Sequence, residues 1–336
     1  MAAGWVEAPT LEIDLDRPMS RWFESAPEAL RERGRSLVEA VRAEAPEGFD
    51  PDGLMGRIGG LVIGLRTGRD VTSEAKAVAK WLGVPAQHVL FGACVYDLVM
   101  GYFACSAVAL PSRNGPVLAR NMDFWPEAAL AQCSATIRAS DSSGLRYLNL
   151  GWPGSIGVVT GLSTKGFALA LNAVSHNERP PLDGYPVMLL LRKVLEQASG
   201  FDDAVDRLST QRLASACIVM VVGTENHERV VVERSPTKFA IRRPQSDEPL
   251  VATNHYVGID SEAPADHLLA ASACARSERL TEITSASPAS FGNDDEGLLY
   301  ALTDSGVMMA ITAQHTILRP REGAARLIIP SQFAAP

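Results

Sequence analysis

From Cys105 onward the sequence breaks into short apolar runs separated by tight polar turns, and this texture constrains the fold more than any other feature. CSAVAL, PVLARN, ATIRAS, RYLNL, IGVVTG and FALALN each read as a strand. SRNG at 112–115, SSG at 142–144 and STKG at 163–166 are turn signatures between several of them. Strands joined this closely pair antiparallel, because a parallel crossover needs a dozen or more residues. Further strands are expected at 217–223, 229–235, 238–243, 250–254, 314–319 and 325–329.

Helical spacing accounts for most of the rest. Residues 17–45 place Trp22, Leu30, Leu37 and Val41 on one face of a helix. Thr72–Leu82, Ala86–Met100, Pro186–Ala198, Phe201–Ser209, 265–284 and 295–303 are also expected to be helical. GLMGRIGGLVIGL at 53–65 is apolar and glycine-rich but holds neither GKS/GKT nor GxGxxG, so it reads as a packing segment, not a phosphate loop. Two sheets needing cover and several helices to cover them predict an α+β chain. Its expected form is a helix–sheet–sheet–helix (αββα) sandwich of two antiparallel sheets behind an N-terminal helical segment.

Of 336 residues, 46% are hydrophobic and 21% charged, a composition that supports a sizeable core. The net charge of −8 argues against a nucleic-acid partner, which phosphate contacts would make basic. No apolar run approaches the ~20 residues of a membrane helix, and MAAGWVEAPTLEIDLDRP lacks the pattern of a secretory signal. A cytoplasmic protein without an integral membrane segment is therefore expected. Five cysteines without CxxC spacing disfavour a disulfide framework or structural zinc.

The chemistry centres on CSAVALPSRNGPVLARNMDFW, residues 105–125. Alone, Cys105 reads as a small core residue, since free cysteine is among the most buried types. A thiol that acts as a nucleophile needs a base. None of His88, His176, His227, His255, His267 and His315 stands in a known Cys–His signature. The remaining base is the α-amine of Cys105 itself, whose ordinary pKa of about 7.7–8.0 suits the task. That requires cleavage of the Ala104–Cys105 bond. Arg120, Asn121 and Asp123 break the polarity of a core strand within LARNMDF, as functional sites do.

These segments resemble the N-terminal-nucleophile hydrolases of the acid ceramidase and N-acylethanolamine acid amidase type, related to choloylglycine hydrolases and penicillin acyltransferases. LEIDLDRPMSRWF at 11–23 is similar to the opening of the family's small subunit, and the Cys–strand–turn–Arg-Asn-Met-Asp run to its nucleophile segment. GSIGVVTGLSTKGFALALN at 154–172 is similar to its glycine-punctuated hairpin, and ATNHY at 252–256 to its Thr-Asn motif. The four motifs occur in the family's order.

The resemblance implies that Cys105 is the self-processed nucleophile, that Arg120 and Asp123 hold it, and that Asn172 and Asn254 help form the oxyanion hole. It also implies a downstream arginine, matched in ACARSERL by Arg276 or, one turn later, Arg279, with Arg276 preferred. Phe124, Trp125, Trp152 and His255 lie beside the motifs as candidate substrate-pocket residues. The sequence departs from the family's lysosomal members, which are secreted and disulfide-linked, in showing no signal pattern and no matching cysteine pair, and from the ceramidase-type members in having Cys-Ala-Arg-Ser where they have Asp-Asp-Arg-Arg.

The resulting expectation is a self-processing amidase without a metal or organic cofactor. Its substrate would be a small-molecule N-acyl amide with an apolar acyl chain. Residues 1–104 would form an α chain that stays packed on the 105–336 β chain, with homo-oligomerisation open. The alternatives are transfer of the acyl group to an amine, and a non-catalytic binding protein that never splits.

Overall fold

The computed structural model describes residues 4–46, 48–98, 103–179, 181, 183–260 and 268–333. His267 and residues 99–102 therefore lie outside the described residues. Two strands come first, β1 (Trp5–Glu7) and β2 (Thr10–Asp14), then four helices: α1 (Glu28–Ala43), α2 (Leu54–Thr67), α3 (Arg69–Leu82) and α4 (Ala86–Leu98). β3 (Phe103–Leu110), β4 (Val117–Phe124), α5 (Glu127–Cys133), β5 (Ala135–Asp141), β6 (Gly144–Gly151), β7 (Thr160–Ser163) and β8 (Phe167–Asn172) follow. Next are α6 (Val187–Gln197), α7 (Phe201–Thr210), β9 (Cys217–Val222), β10 (Arg229–Arg234), β11 (Phe239–Arg242) and β12 (Leu250–Ala252). α8 (Leu268–Ser285), α9 (Pro288–Gly292), α10 (Asp295–Thr303), β13 (Thr312–Arg319) and β14 (Ala324–Pro330) complete the chain.

The strands form a six-stranded sheet, β1-β14-β13-β4-β3-β12, and an eight-stranded sheet, β11-β10-β9-β8-β7-β6-β5-β2. Side-chain alternation makes the layers. Ala107, Ala109 and Leu118 of the first sheet meet Leu162, Ala168, Ala170, Ile218 and Met220 of the second. Val108, Leu110, Val117 and Ala119 turn the other way, onto Leu280, Leu298 and Leu302 of α8 and α10. Leu169, Leu171, Val219 and Val221 face the helical layer that includes α6 and α7. This is the expected αββα sandwich.

The eight-stranded sheet departs from the expectation in being mixed. β2 pairs parallel with β5, while the other ladders are antiparallel. β2 arrives from the far N-terminal side of a long connection, so no hairpin sets its direction. The expected N-terminal helical segment therefore also supplies an edge strand to each sheet, because β1 pairs with β14. The helix expected at 17–45 begins only at Glu28, after Pro27, which has no amide hydrogen to donate into a preceding turn. The 53–65 segment is itself helical: one side packs on α3 and α4, while Leu54, Leu61 and Leu65 are exposed.

The β3–β4 turn sets the register that matters for the site. Gly115 has φ +84°, and a Cβ there would lie 2.3 Å from the Thr224 carbonyl oxygen, so only glycine closes this turn. Register then pairs Cys105 with Met122 and Ala104 with Asp123. Among the described residues no helix is long and apolar enough to cross a membrane.

Candidate active site

Opposed residues of an antiparallel ladder share a face. Cys105 and Arg120 consequently point between the sheets, whereas Ser106 and Asp123 point toward α8. All four are buried. Arg120 donates from Nη2 to Cys105 Sγ at 3.0 Å and to the Leu171 carbonyl at 2.6 Å. Its Nη1 donates to Thr160 Oγ1 at 2.7 Å, which fixes the plane of the guanidinium. The thiol has the same Leu171 carbonyl as an acceptor, at 3.4 Å. A cation beside a sulfur favours thiolate, but here burial dominates. Burial pushes the thiol above its ordinary pKa, Arg120 pulls it down, Asp123 pushes it up, and the Arg120 and Ala173 hydrogen bonds favour thiolate. At neutral pH the thiol keeps its proton unless a base takes it.

The backbone nitrogen of Cys105 faces a separate group of donors and acceptors. It donates to Asn254 Oδ1 at 3.1 Å. Asn254 Nδ2 donates to the Ala173 carbonyl at 2.8 Å, so the carboxamide orientation is fixed. Arg276, on α8, donates to Asn254 Oδ1 at 2.7 Å, to the Cys105 carbonyl at 2.8 Å and to Ser106 Oγ at 2.9 Å. Thr253 donates to the Ala273 carbonyl at 2.9 Å, tying the TNHY segment to that helix.

Asp123 accepts from Thr312 Oγ1 at 2.5 Å, while its Oδ2 is buried with no hydrogen-bond partner among the described residues. Burial raises the Asp123 pKa, partly countered by the Thr312 hydrogen bond and by Arg276 and Arg120.

The structure thus gathers Cys105, Arg120, Asn254 and Arg276 in one hydrogen-bonded cluster, with Asp123 electrostatically coupled to the thiol. Asn172 sits one residue beyond the carbonyl that meets the sulfur. Its Nδ2 donates to the backbone carbonyls of Ala252 and Thr253, at 2.9 and 3.2 Å. In this arrangement it ties β8 to the Asn254 segment. Arg279 points away, pairing with Asp304 and Glu282 at 2.8 Å each. Arg276→Gln should therefore lower activity by roughly two orders of magnitude, because it frees the Asn254 carboxamide and the Cys105 carbonyl that Arg276 holds in place. Arg279→Gln should change it less than twofold, because its guanidinium is committed to Asp304 and Glu282 and away from the cluster; comparative turnover assays of the two variants check this.

The four pocket candidates divide. Phe124 and Trp152 line a small apolar cavity of about 50 Å3 with Val159, Met188, Val95 and Leu37. Trp125 is instead exposed, its indole donating to Glu44 at 2.9 Å. His255 is half-buried against Thr253, at 2.9 Å, and burial lowers its pKa. Asn121, which shares the polar run, is structural: it donates to the Leu302 carbonyl at 2.7 Å and lies 2.6 Å from His315 Nδ1.

Sequence reasoning missed Thr160, Thr312, Ser106 and the Leu171 carbonyl. Thr160 and Thr312 are each distant in sequence from the group they hold. The one available signal was polar residues in the interior strand TAQHTILR, which is buried almost throughout.

The family model described as acyl-coenzyme A:6-aminopenicillanic acid acyl-transferase matches residues 111–305, more than half of the chain. The N-acylethanolamine-hydrolyzing acid amidase of Caenorhabditis elegans is 25% identical over 240 residues, which are 67% of this chain and 66% of that protein. Its counterpart in Oryctolagus cuniculus is 25% identical over 241 residues, 68% of this chain and 64% of that protein. The chain thus spans just under two thirds of the length of these curated relatives. The solved structure of the Caenorhabditis elegans N-acylethanolamine-hydrolyzing acid amidase ortholog matches with a TM-score of 0.53 at 19% identity, over 65% of this chain and 93% of that one. Conjugated bile acid hydrolase from Clostridium perfringens gives a TM-score of 0.45 at 14% identity, over 66% of this chain and 88% of that one.

Proposed function

Because this chain belongs to the acyl-coenzyme A:6-aminopenicillanic acid acyl-transferase family and has the N-terminal-nucleophile hydrolase fold, we propose that it is a self-processing cysteine amidase. The observation that carries the reading is the placement of both reactive atoms of one residue. The Cys105 sulfur lies on Arg120, and its backbone nitrogen lies on Asn254.

In the first step the Cys105 thiol attacks the Ala104 carbonyl. The amide nitrogen leaves with a proton as the new α-amine, and water hydrolyses the resulting thioester to free the Ala104 carboxylate. Residues 1–104 and 105–336 are then separate chains. Association after cleavage is supported by β1 and β2, which pair with β14 and β5. In turnover the α-amine takes the thiol proton as sulfur attacks the substrate carbonyl. Asn254 accepts a hydrogen bond from that nitrogen, and the buried Asp123 carboxylate favours its ammonium form. Arg120 stabilises developing thiolate, and the protonated amine then hands its proton to the leaving nitrogen. Water releases the acid.

The substrate is a linear N-acyl amine with an apolar acyl group, for which the cavity at Phe124 and Trp152 has suitable walls. The relatives named for N-acylethanolamine hydrolysis support this class. The family's description favours a second reading, transfer of the acyl group to an amine acceptor. Intact mass after mixing with a panel of N-acyl amides should show an acyl adduct on the 105–336 chain. Adding amine acceptors then separates the readings, because a new amide product indicates transfer and free acid alone indicates hydrolysis. A chain that neither splits nor acquires an adduct leaves only binding.

A further inference from the structure

A second cavity, of about 380 Å3, lies across α4 from the first. His88, Gly92 and Val95 of α4 face the first cavity, whereas Leu90, Cys94 and Asp97 face the second, about half a turn round the helix. Its walls are largely apolar, with Phe49, Ile63, Leu90 and Phe91 prominent and three α2 glycines presenting bare backbone. Its polar side chains are mostly engaged. Gln87 donates to Asp52 at 3.1 Å, and Arg66 donates to the Gly184 carbonyl at 3.1 Å.

Asp97 differs. Its Oδ1 accepts from Ser215 Oγ at 2.6 Å and from the Val187 amide at 3.3 Å. Its Oδ2 is buried and has no hydrogen-bond partner among the described residues. A buried carboxylate oxygen without a donor is costly, and burial pushes the Asp97 carboxyl up to about 7. An apolar cavity with one unanswered acceptor is complementary to a hydrocarbon that carries one strong donor.

We propose that this cavity binds an apolar primary amine, with its ammonium group on Asp97 Oδ2 and its hydrocarbon against Ile63, Leu90 and Phe91. An ammonium group is favoured over a hydroxyl because a charge-assisted hydrogen bond is roughly twice as strong as a neutral one. It also supplies the positive charge that a buried carboxylate lacks. None of the proposed catalytic residues lines the cavity. The assignment therefore does not rest on the proposed reaction.

Calorimetric titration of the full chain at pH 8 with n-octylamine, n-octanol and octanoate tests it. Octylamine should bind at one site, at least tenfold more tightly than octanol, and octanoate should not bind. Asp97→Asn, which retains an acceptor for Ser215 and Val187, should weaken octylamine at least tenfold and leave octanol unchanged. Gly60→Leu provides a second variant that leaves the carboxylate intact. A Cβ at Gly60 meets only Leu90, at 3.5 Å, so the added side chain should fill the cavity and remove binding of both ligands. Octylamine that does not bind, that binds no better than octanol, or that binds undiminished to either variant overturns the proposal. If Asp97→Asn fails to fold, loss of binding in Gly60→Leu together with the tenfold preference of the unaltered chain for octylamine over octanol decides.

Discussion

Cys105→Ala is expected to remain one polypeptide and to lose amide hydrolysis by roughly four to six orders of magnitude. One sulfur performs both steps in the proposed mechanism, so a single substitution removes both self-cleavage and acylation. The variant should still fold, because alanine fits a site already occupied by a small side chain that is 2% exposed. Intact mass resolves the two outcomes without a substrate. Wild type should give chains of residues 1–104 and 105–336, and the variant a single mass. Turnover on an N-acyl amide then measures the second loss. If the alanine variant splits at the same bond, cleavage is not performed by this thiol and the self-processing mechanism fails. If wild type stays whole yet turns over substrate, the α-amine is not the base, and the burial that raises the thiol pKa must be overcome elsewhere.

The sandwich was legible because its interior strands alternate between two kinds of core. Ala107 and Ala109 belong to the intersheet layer, while Val108 and Leu110 belong to the α8–α10 layer, and turns such as SRNG set the register. β1 and β2 were not legible. They are short edge strands in a polar stretch, and distant partners decide their pairing. The site divides in the same way. Cys105, Arg120 and Asp123 lie on adjacent paired strands, so their proximity follows from local sequence once the hairpin is recognised. Thr160 and Thr312 reach Arg120 and Asp123 from strands 40 and 189 residues away. Only the assembled sandwich reveals them. The polar run LARNMDF was informative as a region, yet it could not separate Arg120, which meets sulfur, from Asn121, which braces His315.

Asp123→Asn is expected to make the protein more stable and nearly inactive. Burial holds the Asp123 carboxyl above its ordinary pKa, and Thr312, Arg276 and Arg120 only partly reverse this. The native state therefore binds that proton more tightly than the unfolded chain does. By linkage, this group's stabilising contribution is fully present below the ordinary carboxylate pKa and is lost as pH rises through the raised value. Wherever this carboxyl is ionised, its charge is a net cost to the fold. Asparagine removes the charge and retains an oxygen for the Thr312 hydroxyl. Tm should rise on the order of 2 °C at pH 7, and the gain should vanish as pH is lowered below about 4. Activity should fall by two to four orders of magnitude, because the ammonium form of the Cys105 amine loses its carboxylate. Stabilisation together with inactivity is the informative combination. A misfolded variant would lose both properties, and a carboxylate of merely structural value would leave turnover intact. Thermal melts at pH 4 and pH 7, paired with turnover on the same preparations, measure both. A lower Tm at pH 7 would mean that attraction to Arg276 and Arg120 outweighs the cost of burying the charge, and the carboxylate would then be held by the fold and not at its expense.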